Sequence, residues 1–216
     1  MSAGADTPGT PHWDYRAPRW LPGGHAQTIW PSLFSRAHHG GAAPRYRRER
    51  WDTPDGDFID VDFLDADGGG EGEGDVPRGV AGIAAAAVDA RPWLVLFHGL
   101  EGSSQGHYAR AFAHWAAERG WRFVVPHFRG CSGELNRAPR AYHSGDFEEI
   151  DWVLRRLRAR ATAPLAVVGI SLGGNALLRW AQEAGDSAAA TASAVVAVCA
   201  PLDLAASGRA IGQGFN

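Results

Sequence analysis

The stretch Leu165–Gly174, LAVVGISLGG, decides the fold of this sequence. Its first six residues are an apolar run, which predicts a short strand buried on both faces of a sheet. The pattern from Leu172 to Ala184 predicts an amphipathic helix that ends at Gly185. A buried strand followed directly by a helix is the unit from which α/β folds with a parallel sheet are built.

The same alternation of strand and helix continues through the sequence after residue 91. Before it, a Pro-Asp-Gly turn at residues 54–56 separates two strand-forming segments, which predicts an antiparallel hairpin. The predicted strands are Arg47–Thr53, Phe58–Leu64, Trp93–Phe97, Trp121–Phe128, Leu165–Ile170 and Ala194–Cys199, and the other predicted helices are His107–Arg119 and Asp146–Arg160. Asp146 and Glu149 have the spacing of a capping box. The fold class is therefore α/β, with a mostly parallel sheet and a leading antiparallel hairpin.

The length of 216 residues is that of one domain, which we place at residues 15–216. Residues 1–14 are predicted to be a disordered N-terminus. The segment Arg16–Phe34 is dense in Trp, Pro and Gly without a regular period, so we expect it to be ordered but irregular. Residues 65–90 are rich in Gly, Asp and Ala, which predicts a flexible surface insertion.

Composition excludes several classes of function. The formal net charge is −3 without a block of like charge, which argues against a nucleic-acid partner. All 21 basic residues are arginine, so the chain has no lysine for a P-loop, a Schiff base or a Ser–Lys dyad. Two cysteines, Cys131 and Cys199, give neither a disulfide framework nor a CxxC zinc motif. Without a signal sequence or a membrane-length apolar run, we predict a cytoplasmic protein with no integral membrane segment.

Gly169, Ser171 and Gly173 form the pattern G-x-S-x-G at the predicted strand-to-helix junction. A serine on such a sharp turn has a strained backbone, and the flanking glycines remove side chains that would clash there. We therefore predict a nucleophile elbow with Ser171 as the nucleophile. Leu172 begins the helix, so its backbone N–H is one predicted donor of an oxyanion hole.

The segment His98–Gly102, HGLEG, follows an earlier predicted strand, where this architecture takes its other oxyanion donor. We assign that donor to the backbone N–H of Leu100. His98 has two interpretations, a general base or a side chain that holds the loop by hydrogen bonds, and we favour the second. A dinucleotide-binding loop at residues 169–174 matches less well, because G-x-G-x-x-G requires three glycines and this sequence has Ser171 in place of the second.

Three other groups have plainer interpretations. Asp203 follows the last predicted strand and is a candidate triad acid, although no histidine follows it. Cys131 is expected to be a packing residue, and Cys199 a core residue of its strand. His38 and His39 are adjacent, which is not a metal-ligand spacing.

Four segments together resemble the YheT-like family of α/β-hydrolases: RAPRWLPGGHAQTIWPSLF (16–34), HGLEGSSQGHYAR (98–110), VVPHFRGCSGELNRAPRAYHSGD (124–146) and GISLGGNALLRW (169–180). The resemblance runs from about Tyr15 to the last residue. It implies a Ser–Asp–His triad in that chain order, with Ser171 as its nucleophile. It also implies a small-molecule carboxylic ester as substrate, from a lipid or a short-chain acid, with no cofactor and no metal.

The triad is where the sequence departs from this family pattern. All nine histidines precede Ser171, and the acids after it are Glu183, Asp186 and Asp203. We therefore expect the triad Asp and His beyond Asn216, the C-terminal strands to be missing, and this chain to be inactive as written. Two other hypotheses stay open, an acyltransferase with the same elbow and a non-catalytic α/β-hydrolase remnant. The acyl preference and the oligomeric state stay open as well.

Overall fold

The computed structural model describes residues 16–34, 43–65 and 89–212. The chain divides into two compact units, residues 1–40 and residues 41–216. The predicted disordered terminus at residues 1–14 and most of the predicted insertion at residues 65–90 lie outside the described residues.

The first unit contains helix α1 (Gly23–Phe34), where the sequence predicts an irregular segment. That prediction is wrong. Pro31 lies inside the helix, and the segment lacks a regular apolar period. Both features argue against a helix when only the sequence is considered. Contacts between aromatic rings support it instead: the centroids of Trp30 and Phe34, one turn apart, lie 4.2 Å from each other, and Trp20 packs edge-on against Trp30.

The second unit is built on a sheet that has six strands within the described residues. Their bounds are β1 (Tyr46–Asp52), β2 (Phe58–Leu64), β3 (Trp93–Phe97), β4 (Arg122–Pro126), β5 (Leu165–Ile170) and β6 (Ala194–Val198). The strand order is β1-β2-β4-β3-β5-β6. The first two strands form an antiparallel hairpin, β2 is antiparallel to β4, and β4, β3, β5 and β6 run parallel. The predicted α/β class with a leading hairpin is confirmed.

Helices cover both faces of this sheet. They are α2 (His107–Glu118) on one face and α3 (Phe147–Arg160) and α4 (Leu172–Ala184) on the other. The chain also forms α5 (Ala188–Thr191) and α6 (Leu204–Ile211), which bury no residue, and a 3₁₀ turn at Gly185–Ser187. Successive strand side chains point to opposite faces, so neighbours on β3 enter different cores. Leu94 and Leu96 pack with the buried alanines of α2, whereas Val95 and Phe97 pack with the apolar residues of α3 and α4.

The hairpin turn lies at the same edge of the sheet as the start of α4. Val61 of β2 is opposite Pro126, the last residue of β4, and the two strands are antiparallel. Residues 53–57 therefore extend beyond the carboxyl ends of the parallel strands. Ligand sites of α/β sheets form at this edge, so the turn is placed to support one.

The predicted capping box at the start of α3 is not formed. Asp146 is the N-cap residue, but its side chain accepts no hydrogen bond from the helix backbone. Its carboxylate pairs with Arg140, and that of Glu149 pairs with Arg129. Hydrogen bonds between ionised groups are stronger than those to neutral N–H groups. The two carboxylates therefore bind the arginines and not the backbone N–H groups at the start of the helix.

The sequence did not predict α6, a short helix of eight residues that contains Gly208. Asp203 caps it: the Asp203 carboxylate accepts the N–H of Ala206 at 2.8 Å. Cys199 was expected in the core, and that prediction is also wrong. It is exposed, with φ of 52°, because the chain turns sharply there at the end of β6.

Strand β6 is the edge of the sheet within the described residues, and it pairs only with β5. Val196 is 49% exposed and Val198 is 37% exposed. Apolar edge strands without a charge or proline are templates for pairing with another chain.

We expect Val196→Lys to reduce aggregation of the 216-residue chain, because a charged side chain on the edge disfavours pairing with a second copy. The measurement is light scattering over time at equal protein concentrations. The control is Val195→Lys: Val195 packs against the core, so this change should lower the midpoint of thermal unfolding instead. Equal scattering by Val196→Lys and the parent would contradict the edge-pairing explanation.

Candidate active site

Ser171 lies between the last residue of β5 and the first residue of α4, at the junction that the sequence predicts. Its backbone has φ of 51° and ψ of −116°, a conformation that non-glycine residues rarely adopt. Two hydrogen bonds fix it: the N–H donates to the carbonyl of Val198 at 2.8 Å, and the carbonyl accepts the N–H of Asn175 at 3.0 Å. The serine is therefore held in a strained conformation at the carboxyl edge of the sheet.

Glycines let β3, β5 and α4 approach one another closely around Ser171. A Cβ on Gly169 would lie 2.5 Å from the carbonyl oxygen of Gly173 and 2.6 Å from the Cα of Gly174. A Cβ on Gly173 would lie 2.5 Å from the carbonyl oxygen of Phe97 at the end of β3. Because these neighbours are backbone atoms, neither glycine can gain a side chain without movement of a strand or a helix.

The loop after β3 reaches Ser171 from the other side. A Cβ on Gly99 would lie 3.3 Å from the Cβ of Ser171, so the two backbones are nearly in contact. Leu100 follows Gly99, and Leu172 follows Ser171. The N–H groups of these two leucines donate to no atom of the described residues. Leu100 and Leu172 are thus sequence neighbours of two residues whose backbones nearly touch, and their role as oxyanion donors stays a prediction.

His98 supports this loop through two hydrogen bonds. Nδ1 lies 2.7 Å from the carbonyl oxygen of Gly99, and Nε2 accepts the N–H of Phe128 at 3.1 Å. This pattern requires the neutral ring with its proton on Nδ1. Burial disfavours the charged ring and lowers the pKa of His98 to about 4. Both ring nitrogens are engaged, as expected for a residue that holds the loop.

A buried carboxylate, Asp62 on β2, is a site-supporting residue that sequence reasoning missed. Its Oδ2 accepts the hydroxyl of Ser104 at 2.6 Å and lies 2.8 Å from Nε2 of His127. Arg48 adds a bidentate pair at 2.7 and 2.9 Å. Burial alone would raise the pKa of Asp62, but these partners hold it well below its ordinary value. Asp62 thus joins the hairpin to the loops after β3 and β4.

The hairpin register carried a signal for this network. Residues 60 and 62 are both aspartate, although a buried strand is usually apolar at every position. In the register of the hairpin, Arg48 faces Asp62 and Arg50 faces Asp60. Two acids opposite two arginines predict cross-strand ion pairs, and therefore a strand that is buried yet charged.

Arg129 forms a second buried network beside the hairpin turn. It donates to Asp57 at 2.8 Å and to Glu149 at 2.6 Å, joining the turn to the first turn of α3. Burial would lower the pKa of Arg129, but the carboxylates of Glu149 and Asp55 keep it above its ordinary value. An open pocket lies next to this network, lined in part by Pro54 and Trp152, and Ser171 is not among its lining residues.

The remaining candidates have structural explanations or lie outside the description. Burial raises the pKa of the Cys131 thiol, which disfavours the thiolate that a nucleophile needs. His38 and His39 lie outside the described residues. In the described part of the chain, no three His, Cys, Asp or Glu side chains converge to hold a metal ion. No described helix has both the length and the apolar character needed to cross a membrane.

None of the described residues forms a hydrogen bond with the Ser171 hydroxyl. His98 and His127, which directly follow β3 and β4 at the carboxyl edge of the sheet, are buried, and their ring nitrogens face other groups. The structure therefore presents a strained serine beside two unpaired N–H groups, without a general base in contact with it among these residues.

The sequence family described as "alpha/beta hydrolase fold" matches residues 92–213, from the start of β3 to the end of α6. The chain belongs to this family. Ser171 therefore occupies the strand-to-helix turn of an α/β-hydrolase, and the loop at Leu100 follows the strand that this fold places beside it.

Relatives of this α/β-hydrolase confirm the resemblance to YheT. The chain is 39% identical over 193 residues to the Escherichia coli (strain K12) protein named "Putative esterase YheT", a match that covers 89% of this chain and 50% of the relative. It is 30% identical over 157 residues to the human protein named phospholipase ABHD3, covering 71% of this chain and 35% of the relative. The chain thus spans about half the length of the first relative and about a third of the second.

Solved structures show the same fold. The Pyrococcus furiosus esterase Pf2001 superposes with a TM-score of 0.54 at 17% identity, covering 80% of this chain and 58% of that chain. Esterase Est22 superposes with a TM-score of 0.50 at 14% identity, covering 85% of this chain and 54% of that chain. Because the sequence identities are this low, the two superpositions show a shared arrangement of strands and helices, that is, a shared fold.

We expect Gly169→Ala to lower the free energy of unfolding of the α/β-hydrolase unit by about 1–3 kcal/mol, because the new methyl group would overlap backbone atoms of α4. The matched control is Gly208→Ala in α6, where a Cβ meets nothing within 4 Å. Alanine is the better helix former, so the control should leave stability unchanged or raise it by about 0.5–1 kcal/mol. Urea unfolding measures both, and equal effects would contradict the close packing of β5 on α4.

The free energy of unfolding should fall between pH 6.5 and pH 4 because of His98. In the unfolded chain this histidine binds a proton near its ordinary pKa of 6.5, whereas in the folded chain its pKa is about 4. The stabilisation is complete above pH 6.5 and is lost as the pH falls toward 4, by about 3 kcal/mol in all. Urea unfolding at pH 7, 6, 5 and 4 measures this slope.

Two variants isolate the contribution of His98. In His98→Gln, a side-chain oxygen can still accept the N–H of Phe128, and the slope should flatten. In His143→Gln, an exposed histidine is replaced, and the slope should persist. Burial raises the pKa of Glu149, so this carboxyl makes the free energy of unfolding rise as the pH falls. Its effect is the same in every variant and cancels when their slopes are compared. An unchanged slope in His98→Gln would mean that another group titrates.

Proposed function

We propose that this chain carries the nucleophile and the oxyanion hole of a serine hydrolase that acts on carboxylic esters. The observation that carries the proposal is the left-handed backbone of Ser171 at the junction of β5 and α4. Such strain persists where the surrounding structure enforces it, and it is typical of functional sites. The unpaired N–H groups of Leu100 and Leu172 support it, because an ester carbonyl attacked by Ser171 needs donors for its oxygen.

The reaction follows from these groups. A base removes the Ser171 proton while Oγ forms a bond to the ester carbonyl carbon, and the carbonyl electron pair moves to its oxygen. The N–H groups of Leu100 and Leu172 donate to this oxyanion. When the carbonyl re-forms, the alcohol leaves with the proton from the base, and an acyl-enzyme on Ser171 remains. Water then repeats the sequence and releases the acid.

The base in this proposal is a histidine, oriented by an aspartate, from outside the described residues. His98 cannot serve, because its Nε2 lone pair accepts the N–H of Phe128. His127 faces Asp62 and the carbonyl of Cys131. The resemblance to the YheT-like family supports this assignment, since it implies a triad in the order Ser, Asp, His.

The substrate class is a carboxylic ester of a lipid or of a short-chain acid, with no cofactor. Two kinds of relative support a lipid ester. Human ABHD3 is named a phospholipase, and a Saccharomyces cerevisiae relative, 29% identical over 118 residues, is named a monoacylglycerol lipase. A cytoplasmic location stays a prediction, as does the alternative of acyl transfer to an acceptor other than water.

The test uses the 216-residue chain with p-nitrophenyl esters of increasing acyl length. We expect hydrolysis near background, because loss of the triad base costs up to ~10⁶ in turnover. Imidazole added to the buffer should raise the rate in proportion to its concentration, since it can take the Ser171 proton where none of the described residues contacts the hydroxyl as a base. The Ser171→Ala variant should show no such increase beyond the imidazole blank.

The outcomes separate the competing functions. Imidazole-dependent hydrolysis that Ser171→Ala abolishes supports the esterase proposal, and added alcohols that divert the acyl group would favour acyl transfer. Robust turnover without imidazole, lost in Ser171→Ala, would show that a histidine of this chain is the base. Equal rates for the parent and Ser171→Ala under all conditions would identify a non-catalytic remnant.

A further inference from the structure

The loop after β3 presents four consecutive backbone N–H groups near Ser171, and three of them have partners. The N–H of Gly99 donates to the hydroxyl of Tyr108 at 3.0 Å. The N–H of Glu101 donates to the hydroxyl of Tyr142 at 2.8 Å. The N–H of Gly102 donates to the carbonyl of Gly99 at 3.0 Å. Leu100, between the two residues bound by tyrosines, is the one of the four whose N–H has no acceptor among the described residues.

Tyr142 holds the residue next to Leu100 in an unusual conformation. Glu101 has φ of 51°, in the left-handed region that residues other than glycine rarely adopt. The Tyr142 hydroxyl accepts the N–H of Glu101 and donates to its Oε1 at 2.9 Å, so it binds the backbone and the side chain of one residue. Because Glu101 shares a peptide plane with the carbonyl of Leu100, fixing its conformation restricts the rotation of Leu100.

Tyr142 is itself fixed by the loop after β4. Its ring stacks on Phe128 with centroids 5.1 Å apart and an interplanar angle of 9°. The N–H of Phe128 in turn donates to His98, whose other ring nitrogen lies against the carbonyl of Gly99. Burial raises the pKa of Tyr142, so the phenol keeps the proton that it donates to Glu101. The tyrosine therefore joins a rigid support to the tip of the loop.

We propose that Tyr142 is a positioning residue for the oxyanion hole. Together with Tyr108 it takes up the neighbouring N–H groups and leaves Leu100 as the donor of this loop, oriented before substrate arrives. The inference rests on the proposed function, because it assigns a role within that same site. An oriented donor needs no reorganisation when negative charge develops on the substrate oxygen, so the gain appears in the transition state.

The experiment replaces Tyr142 by phenylalanine, which keeps the ring on Phe128 and removes the hydroxyl alone. The readout is imidazole-rescued hydrolysis of p-nitrophenyl butyrate by the 216-residue chain. We expect kcat to fall about tenfold with KM within twofold of the parent, a smaller loss than the ~10²–10³-fold cost of removing a donor outright. Amide hydrogen exchange should become faster at Glu101.

The matched control is Tyr46→Phe. Its hydroxyl, which is partly buried, donates to the carbonyl of Ser104 at 3.3 Å and touches none of the four N–H groups. This variant should keep the parent kcat, even if its thermal unfolding midpoint falls. An equal drop in kcat for Tyr46→Phe and Tyr142→Phe would show a merely structural role and overturn the inference.

The two proposals fail in distinguishable ways. If imidazole-rescued hydrolysis persists in Ser171→Ala, the proposed function fails, and the positioning role fails with it. If hydrolysis depends on Ser171 but Tyr142→Phe keeps the parent kcat, only the positioning role is overturned. A rise in KM at constant kcat would also overturn it, because that pattern indicates lost substrate binding and not an oriented transition-state donor.

Discussion

The architecture of the candidate site depends on the close approach of three backbones, those of β3, β5 and the first turn of α4. Gly169 and Gly173 make it possible, because a side chain at either position would overlap main-chain atoms. With the three segments this close, the chain between β5 and α4 has room only for a sharp turn, and Ser171 takes a left-handed conformation. The same contact places Gly99 against Ser171, so the serine and the loop after β3 are positioned by one packing arrangement.

Hydrogen bonds between polar side chains fix the loops after β3 and β4 in position around this packed backbone. His98 ties the loop after β3 to the loop after β4, and Tyr142 returns from the second loop to the tip of the first. Asp62 connects both loops to the hairpin through Ser104 and His127. All of these groups except the half-buried Tyr142 are buried, and they satisfy one another. A network of this kind favours a single arrangement over many similar ones.

The sequence predicted the structure correctly where a local pattern of residues is compatible with one kind of element. The ends of the parallel strands were predicted to within two residues, because continuous apolar runs are typical of such strands. The loop at Leu100 was expected beside Ser171 because this architecture takes its second oxyanion donor from the loop after an earlier strand, and Gly99 of that loop lies against Ser171. The assignment of Ser171 as nucleophile and of Leu100 and Leu172 as oxyanion donors stays a prediction.

Prediction from the sequence did not work where partners distant in sequence decide the outcome. Asp146 and Glu149 have a capping spacing, but arginines from the loop after β4 bind both carboxylates. Tyr142 carries no local pattern that links it to Glu101, which is 41 residues away.

The hydrogen bond from Ser171 to the carbonyl of Val198 has a consequence for the motions of this protein. Edge strands open more readily than central ones, since they have fewer buried contacts and more exposed backbone hydrogen bonds. Each opening of β6 releases the amide of the serine and removes one of the two bonds that hold its strained backbone. The shape of the turn is thereby coupled to local unfolding of β6, so the strained backbone of Ser171 persists only while this edge strand stays paired.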